Sequence, residues 1–168
     1  MLSVERFASS GVPTLVLHGL FGSKQNWRSL AKQASRSLDL VTVDLRNHGA
    51  SFHAPSMTYA DMANDITTLV NNLQLPRANI IGHSMGGKVA MHLALQNPHW
   101  LHKSVIVDMA PLAASQQNSA PFRAYIDAMK QLDAFSPTTH AQADKLLEPL
   151  VPVLLIYLGS SHPRVSHD

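Results

Sequence analysis

The sequence predicts an α/β fold in which a mostly parallel sheet carries helices on both faces. Three observations predict it. Short apolar segments alternate along the chain with segments of helical periodicity, the order expected for a parallel sheet. The apolar segments are continuous runs, as in strands that are buried on both faces. A Gly-x-Ser-x-Gly motif at residues 82–86 separates one such run from a helical segment.

Four apolar runs that end in polar or turn-forming residues are predicted as strands. They lie at residues 14–18, 40–44, 79–82 and 104–108. Residues 2–7 are predicted as a further strand at an edge of the sheet.

Helical periodicity predicts helices at residues 27–38, 58–73 and 85–96, the last stopped by Pro98. The pattern is clearest in residues 58–73, where Thr58 and Asp61 also form a near capping box. Residues 112–120 are small and polar and are predicted as a loop that leaves the sheet. Helical segments are predicted after it, at about residues 122–132 and 139–147.

Composition excludes several function classes. The chain has 168 residues and a formal net charge of only +2, and no two Lys or Arg residues are adjacent. A nucleic-acid-binding surface would require a basic stripe, so no nucleic-acid partner is expected. The sequence contains no cysteine. Disulfides, thiolate metal sites and a cysteine nucleophile are therefore excluded.

The location of the protein is predicted from two absences. The first residues lack the basic and apolar regions of a signal peptide. The longest apolar run, residues 151–158, contains Pro152 and falls far short of the roughly 20 residues that span a membrane. We expect a soluble intracellular protein, cytoplasmic or mitochondrial, with no membrane span.

Ser84 is the candidate nucleophile because it lies in Gly82-His83-Ser84-Met85-Gly86, after a predicted strand and before a predicted helix. In this context the motif forms a tight turn, the nucleophile elbow, which projects the serine hydroxyl from the sheet. Gly82 and Gly86 are required because the turn leaves no room for side chains. The N-terminus of the following helix is suited to stabilise a developing oxyanion.

An oxyanion hole and a triad acid complete the expected site. One N–H donor is expected from Met85 and the other from Leu20, in the loop after the first buried strand. The triad order in this fold is Ser, acid, His. Asp108 follows Ser84 and ends a strand, so it is the candidate acid, although capping of the next turn is an alternative role. Asp44 precedes Ser84 and is interpreted as loop structure.

No histidine is identified as the triad base. Those that precede Ser84 are in the wrong order, and His18 is interpreted as a scaffold for its loop. His92, His99, His102 and His140 do not follow a predicted strand. His162 and His167 come late enough, and each remains an open candidate for the base.

Several segments together resemble one branch of the α/β-hydrolases, that of the bacterial YbfF-type acyl esterases and related eukaryotic α/β-hydrolase-domain proteins. The resemblance runs from about residue 13 to residue 111. It is carried by His-Gly-Leu-Phe-Gly-Ser at 18–23, Asp-Leu-Arg-Asn-His-Gly at 44–49, Ile-Gly-His-Ser-Met-Gly-Gly-Lys at 81–88 and Asp-Met-Ala-Pro at 108–111.

The resemblance implies hydrolysis of carboxylic esters or thioesters of small acyl groups, with no metal and no organic cofactor. It also places the triad acid at Asp108. Residues 1–111 are predicted as the hydrolase core, 112–150 as a partial helical cap and 151–168 as a divergent tail that contains an early penultimate strand. We expect the fold to be truncated before its last strands. The alternative is a catalytically inactive product without the triad histidine.

Overall fold

The computed structural model describes residues 1–111 and 116–149. Residues 1–111 form one compact unit, and the described residues 116–149 belong to a second. The five strands of the first unit are β1 (Val4–Phe7), β2 (Thr14–Leu17), β3 (Leu40–Val43), β4 (Ala78–His83) and β5 (Leu101–Val107). The helices are α1 (Arg28–Ala34), α2 (Tyr59–Asn72), α3 (Met85–Gln96), α4 (Gln116–Phe135) and α5 (His140–Leu147).

The strands form one sheet in the order β1-β3-β2-β4-β5. β1 is antiparallel to β3, and all other neighbours are parallel. The predicted α/β class with a mostly parallel sheet is therefore confirmed. Because the order reverses at β2, the carboxyl ends of β2 and β4 flank a switch point, where open α/β sheets bind their ligands.

Both faces of the central strands are covered, which explains why their sequences are continuously apolar. On one face, buried side chains such as Leu15 and Val41 pack against α2 and α3 in the main core. On the other face, Val16 and Leu40 pack against Ala31 of α1. Helices therefore lie on both faces, as predicted.

The strand β5 is longer than predicted and less buried. It begins at Leu101. The prediction began it at residue 104, because the exposed side chains of His102 and Lys103 interrupt its apolar pattern. Val105 is 53% exposed, although it belongs to the apolar run. Within the described residues β5 has one neighbouring strand, β4, so these polar side chains lie at an edge of the sheet.

Two helix boundaries also differ from those predicted. The predicted helix at residues 27–38 is a 3-10 turn at Lys24–Trp27 followed by the shorter α1. A capping box formed by Ser23 and Asn26 starts that turn. The predicted loop at residues 112–120 was wrong from Gln116 onward, where α4 begins. Gln, Ser and Asn carry only modest helix penalties, so a polar composition does not exclude a helix.

The second unit contains α4 and α5, which pack through the buried side chains of Ala128 and Leu147. Its interpretation as part of a cap stays a prediction, as do the predicted domain limits. The strand predicted near residues 151–158 lies outside the described residues. Among the helices that are described, none combines the length and the apolar character needed to cross a membrane.

Candidate active site

Ser84 lies in a tight turn between the end of β4 and the start of α3. Its backbone has φ 51° and ψ −112°, a conformation that L-residues rarely adopt. A Cβ on Gly82 would collide with the carbonyl group of Gly86, and a Cβ on Gly86 would lie 2.6 Å from the carbonyl oxygen of Leu17. Both positions of the motif therefore require glycine because other backbone atoms occupy the space of a side chain.

The Ser84 hydroxyl does not cap the helix that follows it. Ser84 occupies the N-cap position of α3, where a serine side chain usually accepts a backbone N–H, yet no such bond is formed. Its own backbone N–H donates to the carbonyl oxygen of Val107 at 3.1 Å. The elbow is thus fixed to β5 through the main chain, and the hydroxyl stays available.

The loop that follows β2, residues 18–22, lies directly against the elbow. The N–H of Gly86 donates to the carbonyl oxygen of His18 at 3.1 Å. A Cβ on Gly19 would lie 3.1 Å from Nδ1 of His83 and 3.3 Å from Cβ of Ser84. Gly19 therefore allows the loop backbone to approach the elbow closely.

His18 is 1% exposed and stabilises this loop. Its Nδ1–H donates to the carbonyl oxygen of Gly19 at 2.7 Å, and its Nε2 accepts the N–H of Leu45 at 3.0 Å. Burial lowers the pKa of His18 to about 4, against the smaller opposing effect of the Gly19 bond. The ring is therefore neutral at pH 7, and both its nitrogens are engaged.

The loop after β3, residues 44–51, is held by buried charges. Asp44 forms an ion pair with Nζ of Lys24 at 2.5 Å and accepts the backbone N–H groups of Lys24 and Ala50. Burial alone would raise the pKa of Asp44, but these bonds lower it below its ordinary value. Arg46 binds the carboxylate of Asp65 on α2 through two nitrogens, at 2.6 and 2.8 Å.

Asp108 follows β5 and lies beside the elbow. Its φ of 52° turns the chain away from the strand, and its side chain is 84% exposed. One carboxylate oxygen lies 3.9 Å from Nε2 of His83. The Nζ of Lys88 donates to the carbonyl oxygen of Ala110 at 2.8 Å, which ties the segment after Asp108 to α3.

No histidine of the described residues is hydrogen-bonded to the Ser84 hydroxyl. His18 and His48 have both ring nitrogens engaged by backbone groups. His92 lies on α3 beside Gln96. His162 and His167, the two late candidates, lie outside the described residues.

Two contacts at this site were not predicted from the sequence. Nε2 of His48 accepts the N–H of Phe21 at 3.2 Å, and His83 approaches Asp108. The first pair is separated by 27 residues. Neither spacing nor residue type could have indicated these contacts, because they depend on how neighbouring strands end relative to one another.

Comparison with known proteins places this geometry in a family. The sequence profile of the alpha/beta hydrolase fold matches residues 13–146. The chain belongs to the α/β-hydrolase fold family. It is 43% identical over 138 residues to the sn-1-specific diacylglycerol lipase ABHD11 of Danio rerio, a match that covers 81% of this chain and 43% of that protein. It is 37% identical over 122 residues to the esterase YbfF of Escherichia coli, covering 73% of this chain and 48% of that protein.

A solved structure shows the same architecture in an esterase. A marine microorganism esterase superposes with a TM-score of 0.83 at 33% identity, over 92% of this chain and 60% of that one. The expected resemblance to esterase-type hydrolases is thereby confirmed. This α/β-hydrolase spans about half the length of the curated relatives that it matches.

Proposed function

We propose that this α/β-hydrolase cleaves carboxylic esters or thioesters of small acyl groups through an acyl-enzyme on Ser84. The observation that carries the proposal is the backbone of Ser84 at φ 51° and ψ −112°, with a hydroxyl that does not cap α3. A strained residue that persists in a fold is typical of a functional site.

In the proposed reaction Ser84 Oγ attacks the acyl carbon and loses its proton to a base. The carbonyl oxygen becomes an oxyanion, which then collapses and expels the alcohol or thiol with a proton from the same base. Water attacks the acyl-enzyme in the same way, releasing the carboxylic acid and restoring Ser84. No redox partner or cofactor enters this balance.

The N–H groups of Leu20 and Met85 are proposed as the oxyanion donors. Met85 is the first residue of α3, where helical N–H groups lack internal partners. Leu20 belongs to the loop that Gly86 and Gly19 hold against the elbow. Within the described residues neither N–H donates a hydrogen bond. Removal of one such donor typically costs about 10²- to 10³-fold in kcat.

Asp108 is proposed as the triad acid. Its backbone adjoins the elbow, since the preceding residue, Val107, accepts the N–H of Ser84. Its exposed carboxylate leaves room for an imidazole to bind. The base is proposed to be a histidine outside residues 1–111 and 116–149, and this chain carries His162 and His167 as candidates.

A second candidate is a hydrolase-fold chain that binds its ligand without turnover. It is favoured by one observation, that no described histidine contacts the Ser84 hydroxyl. Loss of the base from a triad enzyme costs on the order of 10⁶-fold in kcat.

Hydrolysis of p-nitrophenyl butyrate by the whole 168-residue chain distinguishes the two candidates. We expect p-nitrophenol release by the wild type and by Ser37→Ala, whose serine is exposed. Ser84→Ala should reduce release to the uncatalysed rate. Equal rates for wild type and Ser84→Ala would overturn the assignment of the nucleophile. A wild type without turnover would overturn hydrolysis by this chain and support the second candidate.

A further inference from the structure

We propose that His48 is a positioning residue for the loop that supplies an oxyanion donor. By accepting the N–H of Phe21, it fixes the peptide planes of residues 18–22 so that the N–H of Leu20 faces the elbow. This inference rests on the proposed function, because it concerns the same oxyanion.

Phe21 adopts a backbone conformation that needs support. Its φ of 60° is left-handed, which is uncommon for a bulky residue without glycine's freedom. Such a strained conformation persists only when its surroundings hold it. The N–H of Phe21 donates to Nε2 of His48 at 3.2 Å, and the N–H of Gly22 donates to the carbonyl oxygen of Gly19 at 3.0 Å.

The loop of His48 selects the tautomer that can accept this N–H. Nδ1 of His48 lies 2.9 Å from the carbonyl oxygen of Arg46, so the proton lies on Nδ1 and the lone pair on Nε2. His48 is buried, with 8% of its surface exposed. The Arg46 guanidinium is anchored to Asp65 of α2. A continuous series of contacts therefore runs from α2 to the backbone of Phe21.

The two loops are joined in both directions. His18 of the first loop accepts the N–H of Leu45, while His48 of the second loop accepts the N–H of Phe21. The two imidazole rings lie against each other, with centroids 5.0 Å apart. Because each loop supplies both a backbone donor and an imidazole acceptor, neither can rotate its peptide planes without breaking a bond to the other.

This arrangement assigns different roles to two consecutive N–H groups. The N–H of Phe21 is bound to His48 and is unavailable to a ligand. The N–H of Leu20, one residue earlier, donates no hydrogen bond within the described residues. The His48 bond therefore determines which amide of the loop is presented to the oxyanion.

A matched pair of variants isolates the acceptor. Gln and Met side chains have similar lengths, and the amide oxygen of Gln can reach the position of Nε2, whereas Met offers only a weak acceptor. Both variants lose the imidazole bond to the Arg46 carbonyl. His48→Gln and His48→Met therefore differ mainly in whether the side chain can accept the N–H of Phe21. His53→Met serves as a control, because His53 is exposed.

The probe is n-butylboronic acid. Its boron accepts an electron pair from Ser84 Oγ while the hydroxyl proton passes to the base or to water, and the product is a negatively charged tetrahedral boronate that mimics the oxyanion. Binding to the whole chain is followed by ¹¹B NMR, and the exchange rate of the Phe21 amide by ¹⁵N NMR. We expect His48→Met to weaken binding by roughly tenfold and to accelerate Phe21 exchange, since one donor loses its placement. His48→Gln and His53→Met should remain within about twofold of wild type by the same reasoning.

The outcomes separate the two proposals. A wild type that forms no Ser84-dependent tetrahedral adduct overturns the proposed function and, with it, the role of His48. A wild-type adduct that His48→Met binds equally well overturns only the role of His48. If His48→Gln weakens boronate binding as much as His48→Met does, the role of His48 is also overturned, because the loss of the acceptor for the Phe21 N–H would then not be the cause.

Discussion

The backbone N–H of Gly86 donates a 3.1 Å hydrogen bond to the carbonyl oxygen of His18. This bond joins the first turn of α3 to the end of β2, two segments that lie far apart in the sequence. The side chain of His18 then holds the loop after β3 through the N–H of Leu45. Three loops at the carboxyl ends of the strands are thus linked, one pair through main-chain groups and the other through the imidazole of His18.

A methyl group at Gly86 should break this link. In Gly86→Ala the new Cβ would lie 2.6 Å from the carbonyl oxygen of Leu17 and 2.8 Å from that of His18. These are backbone atoms, so we expect a loss of about 3 kcal/mol in the free energy of unfolding, measured by urea denaturation. Gly87→Ala is the comparator, because its nearest atom is 3.1 Å away. A loss at Gly86 no larger than that at Gly87 would contradict this explanation.

Glycine at position 84 should stabilise the fold relative to alanine. The φ of 51° and ψ of −112° are strained for any residue with a Cβ and allowed for glycine. We expect Ser84→Gly to exceed Ser84→Ala by about 1 kcal/mol in the free energy of unfolding, measured with urea. At Ser35, where φ is −63° and ψ is −9°, the order should reverse, with alanine the more stable. If the glycine and alanine variants rank in the same order of stability at both positions, backbone strain at Ser84 is ruled out.

Acid should destabilise the first unit through His18. Its pKa is lowered from 6.5 to about 4 by burial, so the unfolded chain binds a proton that the folded chain does not. The free energy of unfolding is therefore fully retained above pH 6.5 and should fall by roughly 3 kcal/mol as the pH drops towards 4. The contribution of Asp44, whose pKa is lowered from 3.8, is lost only at lower pH.

Urea denaturation at a series of pH values tests this dependence. The decline between pH 6.5 and 4 should flatten in His18→Gln and persist in His53→Gln, whose histidine is exposed. An unchanged decline in His18→Gln would assign the titration to another group.

Features that depend on neighbours in the sequence were predictable. The helix α2 was placed within one residue at each end, because Thr58 and Asp61 form the capping box and the apolar positions repeat at helical steps. The turn at Ser84 was equally accessible from its Gly-x-Ser-x-Gly pattern, and Gly82 reflects a close contact within the turn itself. The contact that requires Gly86 is with Leu17 and His18, so the motif indicates that glycine but not its partner. Capping rules and a known local motif were sufficient to predict both features.

Features that depend on strand register were not predictable. The bond between His48 and Phe21 requires that β2 and β3 end side by side. The approach of His83 to Asp108 depends similarly on the pairing of β4 with β5. The first residues of β5 escaped prediction because an edge strand can carry exposed His102 and Lys103. Each of these contacts depends on which strands are neighbours in the sheet, and the residue types alone do not determine that.

The division of the chain after Pro111 has a consequence for its synthesis. The elbow, both loops and Asp108 all lie within residues 1–111, so a ribosome exposes the whole set before it exposes α4. Because compact units fold as they emerge, at roughly 5–20 residues per second, the bonds among His18, His48 and Gly86 can form while translation continues. The surroundings of Ser84 can therefore be in place before the rest of the chain has been synthesised.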